Sequence, residues 1–99
     1  MYKRQVSAKD AVDMGMIYKA VPDEEFEAAV EKIASKLASM PTKGLGLTKQ
    51  ALNKSVICSD FTIQLGIEEH YQDVAAQSED HKEGVAAFLE KRKPTFTGN

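Results

Sequence analysis

Apolar residues recur at helical spacing along most of this chain. Phe26, Ala29, Val30, Ile33, Leu37 and Met40 follow one another at steps of three and four, while Glu27, Glu31, Lys32 and Ser35 fall largely off that stripe. The pattern predicts a helix over 24–40, opened by Asp23 and an acidic first turn of Glu24, Glu25 and Glu27, and stopped by Pro41. A second helix is predicted over 43–57. Thr42 serves as its cap, with Leu45, Leu47, Ala51, Leu52 and Val56 on a broader apolar face. A third, over 60–77, is capped by Ser59 or Asp60. It carries Ile63, Ile67, Tyr71 and Val74 on one face and Phe61 and Leu65 on the next. Ser78 with Glu79 and Asp80 opens a last helix over 80–92, through Val85, Phe88 and Leu89, and Pro94 ends it.

The start of the chain is less regular. Ser7 and Asp10 form a variant capping box ahead of a short helix over 8–14, which Gly15 closes. Residues 16–21 carry aromatic and β-branched side chains and end at Pro22. They read as an extended segment or short strand, for which no pairing edge is evident. The closing TFTGN is expected to be loose. The fold class expected is therefore all-α or mainly α, with four to five helices and one short extended segment.

Composition narrows the function classes. With 99 residues, 42% hydrophobic and 28% charged, and a mean hydropathy of −0.37, the chain suits one small globular core and lies far from disordered or fibrous sequences. No apolar run approaches the ~18 residues of a membrane span, and the opening MYKRQVSAKD lacks the apolar stretch of a signal peptide. A cytoplasmic location is the expectation. The single cysteine, Cys58, excludes an internal disulfide and a multi-cysteine metal site. A net charge of −2 and a pI near 5.7 give no general attraction to nucleic acid or anionic lipid, so any anion site has to be local.

Few residues carry candidate chemistry. Thr42 to Lys49 (TKGLGLTK) has neither the order of a phosphate loop nor the third glycine of a dinucleotide fingerprint. Close helix packing at Gly44 and Gly46 explains the stretch better. Glu68, Glu69 and His70 are adjacent, yet consecutive helical residues point about 100° apart and do not converge. Neither His70 nor His81 has a partner at a metal-ligand spacing. No nucleophile elbow or Cys/His catalytic spacing is present, so no catalytic residue is assigned. There remains Lys91-Arg92-Lys93 at the end of the last helix. These cations either complement the negative end of the helix dipole or offer an ammonium to a phosphate beside the flat apolar Phe88.

Four pieces in order resemble the C-terminal third of the crotonase superfamily, the enoyl-CoA hydratases and isomerases. They are Ala11-x-x-x-Gly15-Met16-Ile17-x-x-Ala20-Val21-Pro22, an amphipathic helix, Pro41-Thr42-Lys43 with Lys49, and the ending Glu83-Gly84-x-x-Ala87-Phe88-Leu89-Glu90-Lys91-Arg92-Lys93-Pro94-x-Phe96. The likeness covers about residues 6–98, and the GLGLTKQALN stretch points to the ring-opening isomerase branch of phenylacetate degradation.

That resemblance implies an acyl-CoA enzyme whose oxyanion hole and proton-moving acids sit in an N-terminal core of ββα turns, none of whose positions occur in this chain. Residues 1–5 then read as a lead or junction outside the family pattern. Residues 6–98 read as a helical assembly region, inactive alone, that forms trimers or hexamers in the parent enzyme and borders CoA. No tightly bound cofactor is implied; coenzyme A arrives as part of the acyl-CoA substrate. Phe88 is expected beside the adenine or pantetheine end and Lys91 near the phosphates. Gln72 stands where many hydratases have an aromatic near CoA. Hydratase, isomerase and other thioester-enolate chemistries stay open, and so does the acyl group. An autonomous helical protein-interaction module with no enzymatic role is the competing reading.

Overall fold

The computed structural model describes residues 4–99, so Met1 to Lys3 of the expected lead lie outside the described residues. It is helical throughout, and no strand forms among the described residues. The helices are α1 (Ala8–Asp13), α2 (Phe26–Ala38), α3 (Thr42–Ser55), α4 (Phe61–Ala76) and α5 (Glu79–Leu89), with a 3-10 turn at Asp23–Glu25 ahead of α2. The chain divides into two compact units, one up to Ile33 and one from Ala34.

In the first unit Ser7 caps α1 as its sequence predicts, its hydroxyl oxygen accepting from the Asp10 amide at 3.1 Å. Gly15 ends the helix in a left-handed conformation, φ +72°. The amides of Gly15 and Met16 then donate back to the carbonyls of Val12 and Ala11, at 2.9 and 2.8 Å, which is the Schellman pairing. Residues 16–18 bend rather than pair as a strand, because no second strand supplies an edge. Asp23 does not cap α2. It begins the 3-10 turn instead, the Glu25 amide donating to the carbonyl of Pro22 at 3.0 Å.

In the second unit α3 packs on α4 and α4 on α5. Asp60, not Ser59, caps α4, accepting from the Ile63 amide at 3.0 Å. Ser78 caps α5, accepting from His81 at 3.1 Å while its own hydroxyl donates to the carbonyl of Ala75 at 2.6 Å. The expectation for Thr42 fails. It is the first helical residue of α3, and Pro41, which has no amide hydrogen to satisfy, stands in the cap position. The packing expected at Gly44 and Gly46 is absent too, since a Cβ built at either meets nothing within 4 Å.

The closing residues depart furthest from expectation. They are docked onto α5, not loose, and the anchor is Asp80, only 2% exposed in the first turn of that helix. Its Oδ1 accepts from the Thr97 amide at 2.7 Å and its Oδ2 from the Gly98 amide at 2.9 Å. Its own amide donates to the carbonyl of Asn99 at 3.1 Å. Gly98 makes this turn at φ +84°, where a Cβ would stand 2.6 Å from Thr42 Oγ1. Only glycine suits both the backbone and the space. Phe96 lies over Gly84, whose built Cβ meets the ring at ordinary contact distance, 3.7 Å.

Little else is buried. Ala87 is the one buried apolar residue among those described, with Ser78 and Asp80 the buried polar ones. The stripes read from the sequence are covered only in part: Leu45, Leu47 and Ala51 of α3 and Ile67, Tyr71 and Val74 of α4 are half-buried, whereas Phe26 and Ile63 are each 59% exposed, and Val56 and Phe61 more so. We expect Asp80→Ala to strand two amides and to lower stability by about 1–3 kcal/mol. Urea unfolding should show the loss, and amide exchange at Thr97 and Gly98 should accelerate before α5 itself opens. Unchanged protection at both amides would contradict the assignment.

Candidate functional site at the end of the last helix

The three cations at 91–93 do not continue the helix. α5 ends at Leu89, short of the predicted 92, with Glu90 as its cap. The Lys91 amide donates to the carbonyl of Phe88 at 3.3 Å and the Arg92 amide to that of Ala87 at 3.0 Å, the same Schellman pairing that closes α1. At the position held by Gly15 in α1, α5 has Lys91, at φ +53°. It is the one non-glycine residue at positive φ among those described. A side chain in that conformation costs roughly 1–2 kcal/mol against the ordinary helical region. The turn is held by its neighbours.

Arg92 is wholly engaged. Its Nη1 and Nη2 donate to the two oxygens of Glu83 at 2.6 and 2.8 Å, a fork-on-fork pair. Its Nε donates to Glu90 at 2.6 Å. Glu83 also accepts from the Thr95 amide at 2.8 Å, so one carboxylate ties α5 to both the guanidinium and the closing segment. Those bonds, with Arg92 first and Thr95 next, hold the Glu83 carboxyl down from 4.5 to about 2. The same pairing, with Glu83 before Glu90, holds the Arg92 guanidinium further above its ordinary value. The pair is only partly covered, Glu83 being 24% and Arg92 41% exposed, so solvent screens it.

Lys91 and Lys93 form no ion pair among the described residues. Both are exposed. Phe88, one turn back, is 83% exposed and borders an open groove of about 410 Å³ with Val85, Leu89, His81, Pro41 and Phe96. Phe88 and Lys91 lie three residues apart at the end of α5, joined by a backbone hydrogen bond, and Phe88 but not Lys91 lines that groove. Gln72 lies elsewhere, lining a separate groove between α3 and α4. Of the two readings of the cationic end, the dipole role falls to none of the three inside the helix, whose last turn holds no basic residue.

The other candidates stay apart. Glu68 accepts from Gln64 at 2.9 Å, and the His70 ring lies 5.8 Å from that of Tyr71. No group of three or more His, Cys, Asp or Glu side chains is arranged to hold a metal ion among the described residues. No helix there is long and apolar enough to cross a membrane. The residues that sequence reasoning missed are Asp80, Glu83 and Arg92. An acidic first turn accounts for Asp80 locally, and a place in the basic run just past the helix accounts for Arg92. The only sequence sign of their other role is Gly98, a residue suited to a turn in a tail with no evident partner.

The chain is a helical segment that one known family matches from end to end. The family described as enoyl-CoA hydratase/isomerase matches residues 1–99, and the chain belongs to it. A 1,2-epoxyphenylacetyl-CoA isomerase of Escherichia coli (strain K12) is 47% identical over 94 residues, covering 95% of this chain and 36% of the relative. A crotonyl-CoA hydratase of Syntrophomonas wolfei is 34% identical over 91 residues, covering 92% of this chain and 35% of the relative. The crystal structure of an enoyl-CoA hydratase from Bacillus anthracis superposes with a TM-score of 0.85 at 30% identity, over 97% of this chain and 37% of that one. The chain spans about a third of the length of the relatives it matches.

The Glu83 carboxylate sets a pH dependence with a definite sign. Its folded pKa, about 2, lies below the ordinary 4.5, so its contribution is complete above pH ~4.5 and is lost as pH falls through about 2. Exchange of the Thr95 amide should show constant protection from pH 7 to 5 once the intrinsic rate is divided out, and declining protection from about pH 4 to 2. Loss of that protection already at pH 6 would rule out Glu83 as its acceptor.

Proposed function

We propose that this chain forms the CoA-bordering helical wall of an acyl-CoA hydratase or isomerase, with Lys91 contacting the phosphates of coenzyme A and Phe88 covering its adenine or pantetheine end. The observation that carries the reading is the uncommitted Lys91, on a left-handed turn three residues after the exposed Phe88, while adjacent Arg92 is spent on Glu83 and Glu90. An ammonium on a flexible stem acts on phosphate as a point charge, and an open apolar groove accepts a flat ring or a thin chain. The chemistry itself belongs to residues outside this chain. The likeness to a 1,2-epoxyphenylacetyl-CoA isomerase favours an aromatic acyl-CoA as substrate. Coenzyme A enters as part of that substrate, not as a resident cofactor.

The test is the affinity of the intact protein for free coenzyme A, measured by titration calorimetry across a salt series. Lys91→Ala should weaken binding by about two- to fivefold at low salt and flatten the salt dependence. Lys93→Ala should do neither. Equal affinity and an equal salt slope for Lys91→Ala and the parent would remove Lys91 from the site.

The same reading makes this region an assembly surface. Exposed Phe26, Ile63, Val56, Ile57 and Phe61 form more apolar surface than a solitary soluble chain of this size ordinarily leaves bare. We expect the chain alone to self-associate or to unfold at low temperature, and the intact protein to run as a trimer or a hexamer. Sedimentation of the isolated chain as a compact monomer with a sharp, high-temperature unfolding transition would count against an assembly role.

A further inference from the structure

The turn at Lys91 is built twice in this chain, and the two versions differ in one respect. At the end of α1 the left-handed position holds Gly15, and its pairing bonds are short, 2.9 and 2.8 Å. At the end of α5 the same position holds a lysine, and the corresponding bonds are longer, 3.3 and 3.0 Å. The α1 turn needs no outside support. The α5 turn is flanked by two residues joined to each other, Glu90 and Arg92 at 2.6 Å, and Arg92 is anchored back to Glu83 two helical turns earlier. Residues 90 and 92 are thus tied down by their side chains, and residue 91 between them is not.

We infer that Glu83 and Arg92 are positioning residues, which hold Lys91 in its left-handed turn so that its ammonium is presented, uncommitted, to a phosphate-bearing ligand. A free helix end would relax Lys91 toward negative φ and swing its side chain away. The forked guanidinium fixes the direction in which the chain leaves α5, because two parallel bonds to one carboxylate define an orientation as well as a distance. Arg92 also withdraws from the competition for phosphate. Its charge is already matched by two carboxylates, so the ligand meets the Lys91 ammonium without the adjacent guanidinium competing for it. The Thr95 amide, sharing the Glu83 carboxylate at 2.8 Å, extends the same constraint into the closing segment.

The inference rests on Lys91 meeting coenzyme A, and a double-mutant cycle in the intact protein separates the two claims. Free coenzyme A is the probe, titrated below the unfolding temperature of every variant. Glu83→Gln removes the charge that anchors the fork, and Arg92→Lys keeps a cation but cannot make two parallel bonds. Each should weaken binding by up to the loss seen for Lys91→Ala, and neither should weaken it further once Lys91→Ala is present. Should one of them not fold, the other completes the cycle. If Lys91→Ala weakens binding while Glu83→Gln and Arg92→Lys leave it unchanged, positioning is refuted and the contact stands. If these variants weaken binding as much in the Lys91→Ala background as in the parent, their role is general to the fold, and positioning is again refuted. If Lys91→Ala has no effect, the contact itself falls, and positioning with it.

Discussion

The second unit of this chain depends on a buried carboxylate. A two-turn apolar core would ordinarily fix how a helix meets the segment after it, but Ala87 alone is buried here among the apolar residues described. Asp80 takes over that task. At the second position of α5 its charge suits the positive end of the helix, and both of its oxygens are filled by amides of the closing segment. Burial of such a group is costly unless every lone pair finds a donor, so the closing segment has few ways to lie. Gly98 follows from this: the amide must reach Asp80 while the backbone turns beside Thr42, which a side chain would prevent.

A second carboxylate continues the same logic one turn on. Glu83 lies on the flank of α5 and collects the guanidinium of Arg92 and the amide of Thr95. Unlike Asp80 it is open to water, so its worth lies less in net stability than in direction. Asp80 and Glu83 together draw the residues after Lys91 back along the helix they have just left. The reversal needs a tight turn at the helix end, and the tight turn needs a left-handed residue. That Lys91 and not glycine occupies it is a feature that local backbone energetics disfavour, and the proposed phosphate contact would account for it.

How much of this was legible follows from the range of each interaction. Ser7, Asp60 and Ser78 cap helices through bonds to amides three residues away, so the sequence displays donor and acceptor together. The apolar stripes of α2, α3 and α4 are likewise local, being periodicities within one element. Thr42 misled because a good capping residue next to a proline can also be the first residue inside the helix. The closing segment misled more. Asp80 and Gly98 are eighteen residues apart, Glu83 and Arg92 nine, and nothing in either neighbourhood announces the other. Asp80 and Arg92 each had a sufficient local role as a partner of the helix dipole, and that role hid the distant one. Residue chemistry offered the cations at 91–93 beside Phe88 as one of two readings of the helix end, and likeness to a family ending singled out Lys91 and Phe88. What the structure adds is the conformation that makes Lys91 unusual.

The exposed apolar faces and the strained turn have a common reading. The chain spans about a third of its relatives' length, and its helices leave Phe26, Ile63, Ile57 and Phe88 open while satisfying their caps and their closing segment with care. The polar groups of the helix caps and of the closing segment are satisfied within the chain. Apolar groups are largely not. Hydrogen bonds set the internal geometry of such a segment because they act over one or two side chains, whereas burial requires a second surface of matching area. A segment whose caps and closing turn are hydrogen-bonded while its apolar faces stay open holds its shape locally and has surface left for another to cover. The placement of Lys91 would then be decided within the chain, through Glu83 and Arg92, before any larger assembly covers the faces around it.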